Sequence, residues 1–175
     1  LIGRVVHVES YFSFKTVRKS NDGRSLMSPI DQLLDILPHP VYTLLDALGG
    51  VAGTVPQLQS LVVRPEGEVH AILQAGETTG VLVVTLRGRP IDSYLRVVGT
   101  SGSLRADFVR GSLTKLPGPG TSAVAILSNP YREAMQILVG STRGFAARIL
   151  NKSKGYPGLA ELIEAFYDSV RQGTR

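Results

Sequence analysis

The chain has 175 residues, 43% of them hydrophobic and 19% charged, which suits one well-buried core and excludes a disordered segment. It has no cysteine, so disulfide staples and thiolate metal sites are excluded and a reducing, cytoplasmic compartment is expected. The net charge of +5 is spread without an RNP-like, zinc-finger or helix-turn-helix signature, and no apolar run approaches the ~20 residues that span a bilayer, so neither nucleic acid nor membrane is an expected partner.

The sequence starts at Leu1 on a strand pattern, without signal-peptide order, and reads as a piece of a longer protein. Residues 4 to 17 mix β-branched and aromatic side chains, Val5, Val6, Val8, Tyr11, Phe12, Phe14 and Val17, with polar residues between several of them, which predicts one long strand. A polar loop follows, where Lys15, Arg18, Lys19 and Arg24 surround an Asn21-Asp22-Gly23 turn. Ser28-Pro29-Ile30-Asp31 then predicts a helix start, with Ser28 as N-cap, Pro29 at the first helical position and Asp31 at the capping-box position. Ile30, Leu33, Leu34 and Leu37 form its apolar stripe. Pro38 and Pro40 disfavour helical dihedrals at Leu37 and His39, so the helix is expected to break there and restart at Pro40, with His39 at the joint. The second piece carries Val41, Leu44, Leu45 and Leu48 on one side and is expected to stop at Gly49-Gly50.

Six short strands are predicted next, over Leu58–Arg64, Glu68–Ala75, Gly80–Leu86, Ser93–Val98, Ser103–Val109 and Ser112–Leu116, joined as consecutive antiparallel hairpins in a meander. Helical periodicity returns weakly over 121–128 and clearly after Asn129-Pro130, with Gly140 and Gly144 weakening its middle. A basic face of Arg143, Arg148, Lys152 and Lys154 leads to a last amphipathic helix carrying Leu159, Leu162, Ile163, Phe166, Tyr167 and Val170. The expected architecture is α+β: an open, largely antiparallel sheet with helices packed on one face and the other face left for a partner subunit.

Asp35 and His39 place a carboxylate four residues before an imidazole in an otherwise apolar stretch, where chemistry is a reason to keep two titratable side chains close. Lys15 and Arg18 leave the first strand where a pocket could open, and read either as solvated surface or as contacts to substrate or to a phosphate. His7 and His70 sit in strand patterns far from other ligand types, so both read as structural and no metal site is expected.

The order of a long strand, the Asp-x-x-x-His element at Asp35 and His39, a meander holding Val97-Val98-Gly99-Thr100-Ser101-Gly102-Ser103-Leu104, and the Tyr-Pro-Gly-Leu-Ala-Glu-Leu-Ile-Glu-Ala-Phe segment at 156–166 resembles the C-terminal domain of the glucose-fructose oxidoreductase/inositol dehydrogenase (Gfo/Idh/MocA) family. The resemblance covers nearly the whole chain. It implies a dihydrodipicolinate-reductase-like substrate-binding and oligomerisation domain over 1–175, whose own N-terminal Rossmann domain is absent from the chain. It further implies NAD or NADP in the full-length parent, no cofactor in this fragment, a sugar, polyol or related hydroxylated substrate, and homo-oligomer contacts through the open sheet face. By the same resemblance His39 exchanges a proton with the substrate hydroxyl, and Asp35 orients His39 or binds a substrate hydroxyl. No Gly-x-Gly-x-x-Gly follows a strand with an acidic residue about 20 positions later, so a dinucleotide site is not expected within the chain. A second reading is a non-catalytic binding or assembly module that kept the fold.

Overall fold

The computed structural model describes residues 2–15, 27–118 and 121–150. Two compact units are present, Leu1–Ser141 and Thr142–Arg175. The predicted loop at Asn21-Asp22-Gly23, Arg18 and the amphipathic segment at 156–170 lie outside the described residues.

Alternation along the first segment produces β1 (Val5–Ser13), in which Val8, Ser10 and Phe12 are buried on one face while Glu9 and Tyr11 point the other way. Two helices follow, α1 (Pro29–Ile36) and α2 (Pro38–Ala52), then the strands β2 (Gln57–Arg64), β3 (Glu68–Ala75), β4 (Thr78–Thr85), β5 (Ser93–Gly99), β6 (Gly102–Asp107) and β7 (Ser112–Pro117), and last the helix α3 (Ala123–Leu150). All six predicted later strands form, within a few residues of their expected ends.

The sheet is seven-stranded, in the order β2-β3-β4-β1-β5-β6-β7, and is antiparallel throughout except where β1 pairs parallel with β4. This corrects the meander: β4 and β5 are not a hairpin, because β1 lies between them. Turn chemistry encodes each local hairpin, whereas a strand returning from far earlier in the chain leaves no mark in the turn residues.

The helix joint also differs from expectation. Leu37 keeps right-handed helical dihedrals (φ −52°, ψ −35°), its N–H donates to Leu33 O at 2.9 Å, and α2 restarts at Pro38 rather than at Pro40. Both prolines sit in the first turn of α2, where backbone N–H groups have no intrahelical acceptor and their loss costs no bond. Nor does α2 stop at Gly49-Gly50: it runs to Ala52 and is closed by Gly53, at φ 61°, whose N–H donates to Gly49 O. Helix α3 runs unbroken from Ala123 through Pro130, Gly140 and Gly144, joining the weakly periodic stretch over 121–128 to the clear one after Asn129-Pro130.

Helix α2 packs on β1, β4 and β3, burying Leu44 and Leu48 beside Leu33 of α1, Val8, Phe12, Val69, Ala71, Leu82 and Val84. Leu34 and Leu45, both expected in the apolar stripes, face outward instead, at 57% and 38% exposure. Close approach of α2 to the sheet requires a glycine at position 80, because a Cβ there would lie 2.5 Å from Leu48 Cδ1. At the far edge, Gln136 of α3 satisfies both backbone groups of Lys115 on β7, accepting from its N–H (2.8 Å) and donating to its carbonyl (3.0 Å).

The face of the sheet turned away from α1 and α2 carries Val81, Val83 and Ile72 on β4 and β3 and a polar, aromatic cluster on β1, β5 and β6. Tyr11 and Tyr94 stack with centroids 5.4 Å apart, the Arg105 guanidinium lies 4.1 Å over the Tyr94 ring, and the Tyr94 hydroxyl donates to the Glu9 carboxylate at 2.9 Å. Burial pushes the Tyr94 phenol up to about 12, and the bond to Glu9 and its negative charge add to the shift. A raised phenol pKa contributes stability that is fully present below pH 10 and is lost as the pH rises from there through about 12. An alkaline titration read by tyrosinate absorbance is therefore expected to show a late-ionising step that Tyr94→Phe removes. A titration curve of the folded protein left unchanged at its alkaline end by Tyr94→Phe would contradict this.

Candidate functional site

Ser28 and Asp31 form the predicted cap of α1: the Asp31 N–H donates to Ser28 Oγ (3.2 Å), and the Ser28 hydroxyl donates to the Asp31 carboxylate (2.6 Å). From this start the buried side of the helix pair is fixed by Leu33, the wholly buried Pro40, Leu44 and Leu48. Ser10 of β1 donates to the Pro40 carbonyl at 3.3 Å and so holds the first turn of α2 on the sheet. Because Pro40 points inward, its neighbour His39 points out.

Asp35 in the last turn of α1 and His39 in the first turn of α2 are both exposed. The joint at Leu37 is helical, so residues four apart fall on one side of it, and steps of three and four carry that side on to Tyr42 and Asp46, which are also exposed. The His39 and Tyr42 rings meet edge to face with centroids 5.9 Å apart. The Thr43 hydroxyl donates to the His39 carbonyl at 2.7 Å, tightening the turn beneath the ring. No hydrogen bond or ion pair joins Asp35 to His39 among the described residues, so each presents its polar atoms to solvent. Lys15 is exposed just past β1 and is joined to neither; Arg18 lies outside the described residues.

One electrostatic property of this face escaped the motif reading. Residues 27–63 hold three aspartates, Asp31, Asp35 and Asp46, and no lysine or arginine, in a chain of net charge +5. It could have been found by plotting charge along the sequence rather than summing it.

The starts of α1 and α2 offer few free donors to a dinucleotide. Pyrophosphate binding uses free N–H donors at a helix N-terminus, but the α1 start is already filled by Ser28 and the Asp31 carboxylate, and α2 lacks two of its first donors at Pro38 and Pro40. Among the described residues there is no group of three His, Cys, Asp or Glu side chains that could hold a metal ion, and no helix long and apolar enough to cross a membrane. His70, read as structural, is exposed on β3 and bonds to Glu68 at 2.9 Å, a contact that holds the Glu68 carboxyl below its usual range.

No protein-family model and no curated protein matches the chain. Among solved structures, it is similar to the WlbA dehydrogenase from Bordetella pertussis in complex with NADH and UDP-GlcNAcA, at 17% identity and TM-score 0.45 over 99% of this chain and 56% of that one. It is also similar to UDP-N-acetylglucosamine 3-dehydrogenase GnnA from Acidithiobacillus ferrooxidans (14% identity, TM-score 0.45, 81% of this chain and 52% of that one). A third similar structure is a levoglucosan dehydrogenase in complex with NADH (16% identity, TM-score 0.46, 70% of this chain and 38% of that one). The chain thus spans roughly half the length, or less, of the proteins it matches.

Proposed function

We propose that residues 1–175 are the substrate-side domain of a nicotinamide-dependent oxidoreductase of the Gfo/Idh/MocA type, acting on a sugar, polyol or related neutral hydroxylated molecule. The observation that carries this reading is the presentation of Asp35 and His39 on one exposed face of a helix pair whose other face is locked onto the sheet. In this role an imidazole nitrogen of His39 takes the proton from the substrate hydroxyl, and Asp35 accepts a hydrogen bond from the imidazolium or from a neighbouring hydroxyl. Three aspartates without a nearby cation in sequence suit a neutral polyol better than a phosphorylated one. Lys15 and Arg18 belong to the proposal as substrate contacts from the end of β1. The open sheet face, with Tyr11, Tyr94 and Arg96, is the proposed surface of self-association.

The hydride acceptor is not held by these residues and would be supplied by a separate Rossmann domain of the full-length protein. Two measurements test this. Full-length protein is expected to reduce NAD or NADP in the presence of a member of a sugar and polyol panel, and the 175-residue chain alone is expected to show no saturable binding of NADH. Saturable micromolar NADH binding to the isolated chain, or no turnover across the panel by a folded full-length protein, would overturn it.

A further inference from the structure

The two edges of the sheet are finished differently. The β7 edge is met by α3, where Gln136 takes up both backbone groups of Lys115. The β2 edge has no such cover among the described residues: every residue of the strand is exposed, and β3 is its one neighbour in the sheet. Half of the backbone N–H and C=O groups of an edge strand point away from the sheet, and proteins usually blunt such a row with lysine, proline, a bulge or a covering element. Here Pro56 stands just before the strand and a register shift interrupts it between Leu58 and Ser60, but residues 60–64 are left regular, with Arg64 as their one charge.

Both faces of that regular stretch carry apolar side chains. Leu61 and Val63 lie opposite Ala71 and Val69 of β3 and so share the face on which α2 packs. They are nevertheless 54% and 49% exposed, whereas Ala71 and Val69 are buried, because α2 packs mainly on β1 and β4 and only marginally on β3. Val62, opposite His70, is exposed on the other face.

We propose that β2 pairs antiparallel with β2 of a second copy of this chain, about a two-fold axis through Val62, so that two sheets join into one. Outward-pointing backbone groups call for another strand, and with the β7 edge met by α3, the bare edge that a copy offers in return is β2 itself. Such a contact is isologous: it uses up both free edges, and assembly stops at two copies. The register follows from two requirements. Residues directly opposite each other share a face of the sheet, so a shift by one is excluded, and residues 60–64 match their whole length with themselves only when Val62 is the centre. Leu61 then lies beside Val63 of the partner subunit on the helix side, Val62 meets its own counterpart on the other side, and Arg64 falls opposite a serine. The two Arg64 residues stand four strand positions apart, about 13 Å, where salt screens most of their repulsion. The axis is perpendicular to the sheet, which keeps both open faces on one side and free for the association proposed above. Neither that association nor the roles of Asp35 and His39 are needed for this contact.

Because the chain has no cysteine, one introduced thiol per copy reads the register. Val62→Cys is expected to give a disulfide-linked dimer of the chain under mild oxidation, since directly opposite residues have Cα atoms about 4.5–5.5 Å apart, within disulfide reach. Ser60→Cys puts its two thiols on positions about 13 Å apart across the axis and is expected to stay unlinked. Both positions are exposed, so both variants are expected to fold. Val62→Lys sets two ammonium groups against each other at the axis and is expected to raise the dimer dissociation constant, read by sedimentation, at least tenfold. The proposal is overturned if Val62→Cys links no faster than Ser60→Cys, or if dimerisation withstands Val62→Lys, which would assign it to the open face. A chain that stays monomeric at millimolar concentration also overturns it and assigns the β2 edge to a strand from outside this chain.

Discussion

If His39 is the proposed base, replacing it by glutamine is expected to slow turnover of the full-length protein by about two to four orders of magnitude, the usual worth of a positioned general base. Folding is expected to be untouched. The ring is exposed, its one described ring contact is the edge of Tyr42, and the helix turn below it is held by backbone and Thr43 rather than by imidazole. Thermal unfolding of the variant therefore serves as the control for a change in chemistry. Asp35→Asn separates the two roles open to the carboxylate: a lower kcat at constant KM marks a group that acts through His39, and a raised KM at constant kcat marks one that binds a substrate hydroxyl. An unchanged rate for the His39 variant would remove the base assignment and favour a non-catalytic assembly module of the same fold.

Leu48→Ala is expected to destabilise the domain by about 2–5 kcal/mol, because Leu48 is wholly buried and the fixed sheet beneath it cannot collapse into the space left behind. Its partner across the interface makes the test sharper. Gly80→Ala alone places a methyl against Leu48 Cδ1 and is expected to cost about 1–3 kcal/mol by overpacking. In the double variant the new methyl enters the space that Leu48 vacated, so the two costs are expected to fall short of additivity by about 0.5–3 kcal/mol. Denaturant unfolding of the four proteins reads this directly. Strict additivity would mean that α2 does not seat Leu48 over Gly80.

The sequence carried local features well. Ser28, Pro29 and Asp31 marked the start of α1 because a cap is a short-range arrangement of a side chain and its own backbone. Each hairpin turn was marked by glycine or proline for the same reason. Long-range decisions were another matter: the pairing of β1 with β4 and β5 depends on competition among strands of similar character, which no window of residues records. At Pro130 the helix already running from Ala123 continues through a residue that could have started one, and Gly53 rather than Gly49-Gly50 closes α2 as the residue at positive φ. At the candidate site Asp35 and His39 were legible as a spaced pair, since one helical face collects residues four apart. The ion-pair cluster of Asp92, Arg105, Asp107 and Arg110 was not legible, because its members come from separate segments and look in isolation like ordinary strand and turn residues.

The position of β1 has a consequence for how the chain is made. Two ribbons, β2–β3–β4 and β5–β6–β7, are each zipped by local turns, and β1 is the seam between them. Its nearest described partner, Thr79, lies 72 positions downstream of His7. At about 5–20 residues per second of synthesis, β1 spends roughly 4–15 s after emergence without its pairing strands. During that interval the backbone groups of β1 lack their pairing partners and Val8 and Phe12 lack the strands that flank them in the finished sheet, which can close only after Gly99 has followed.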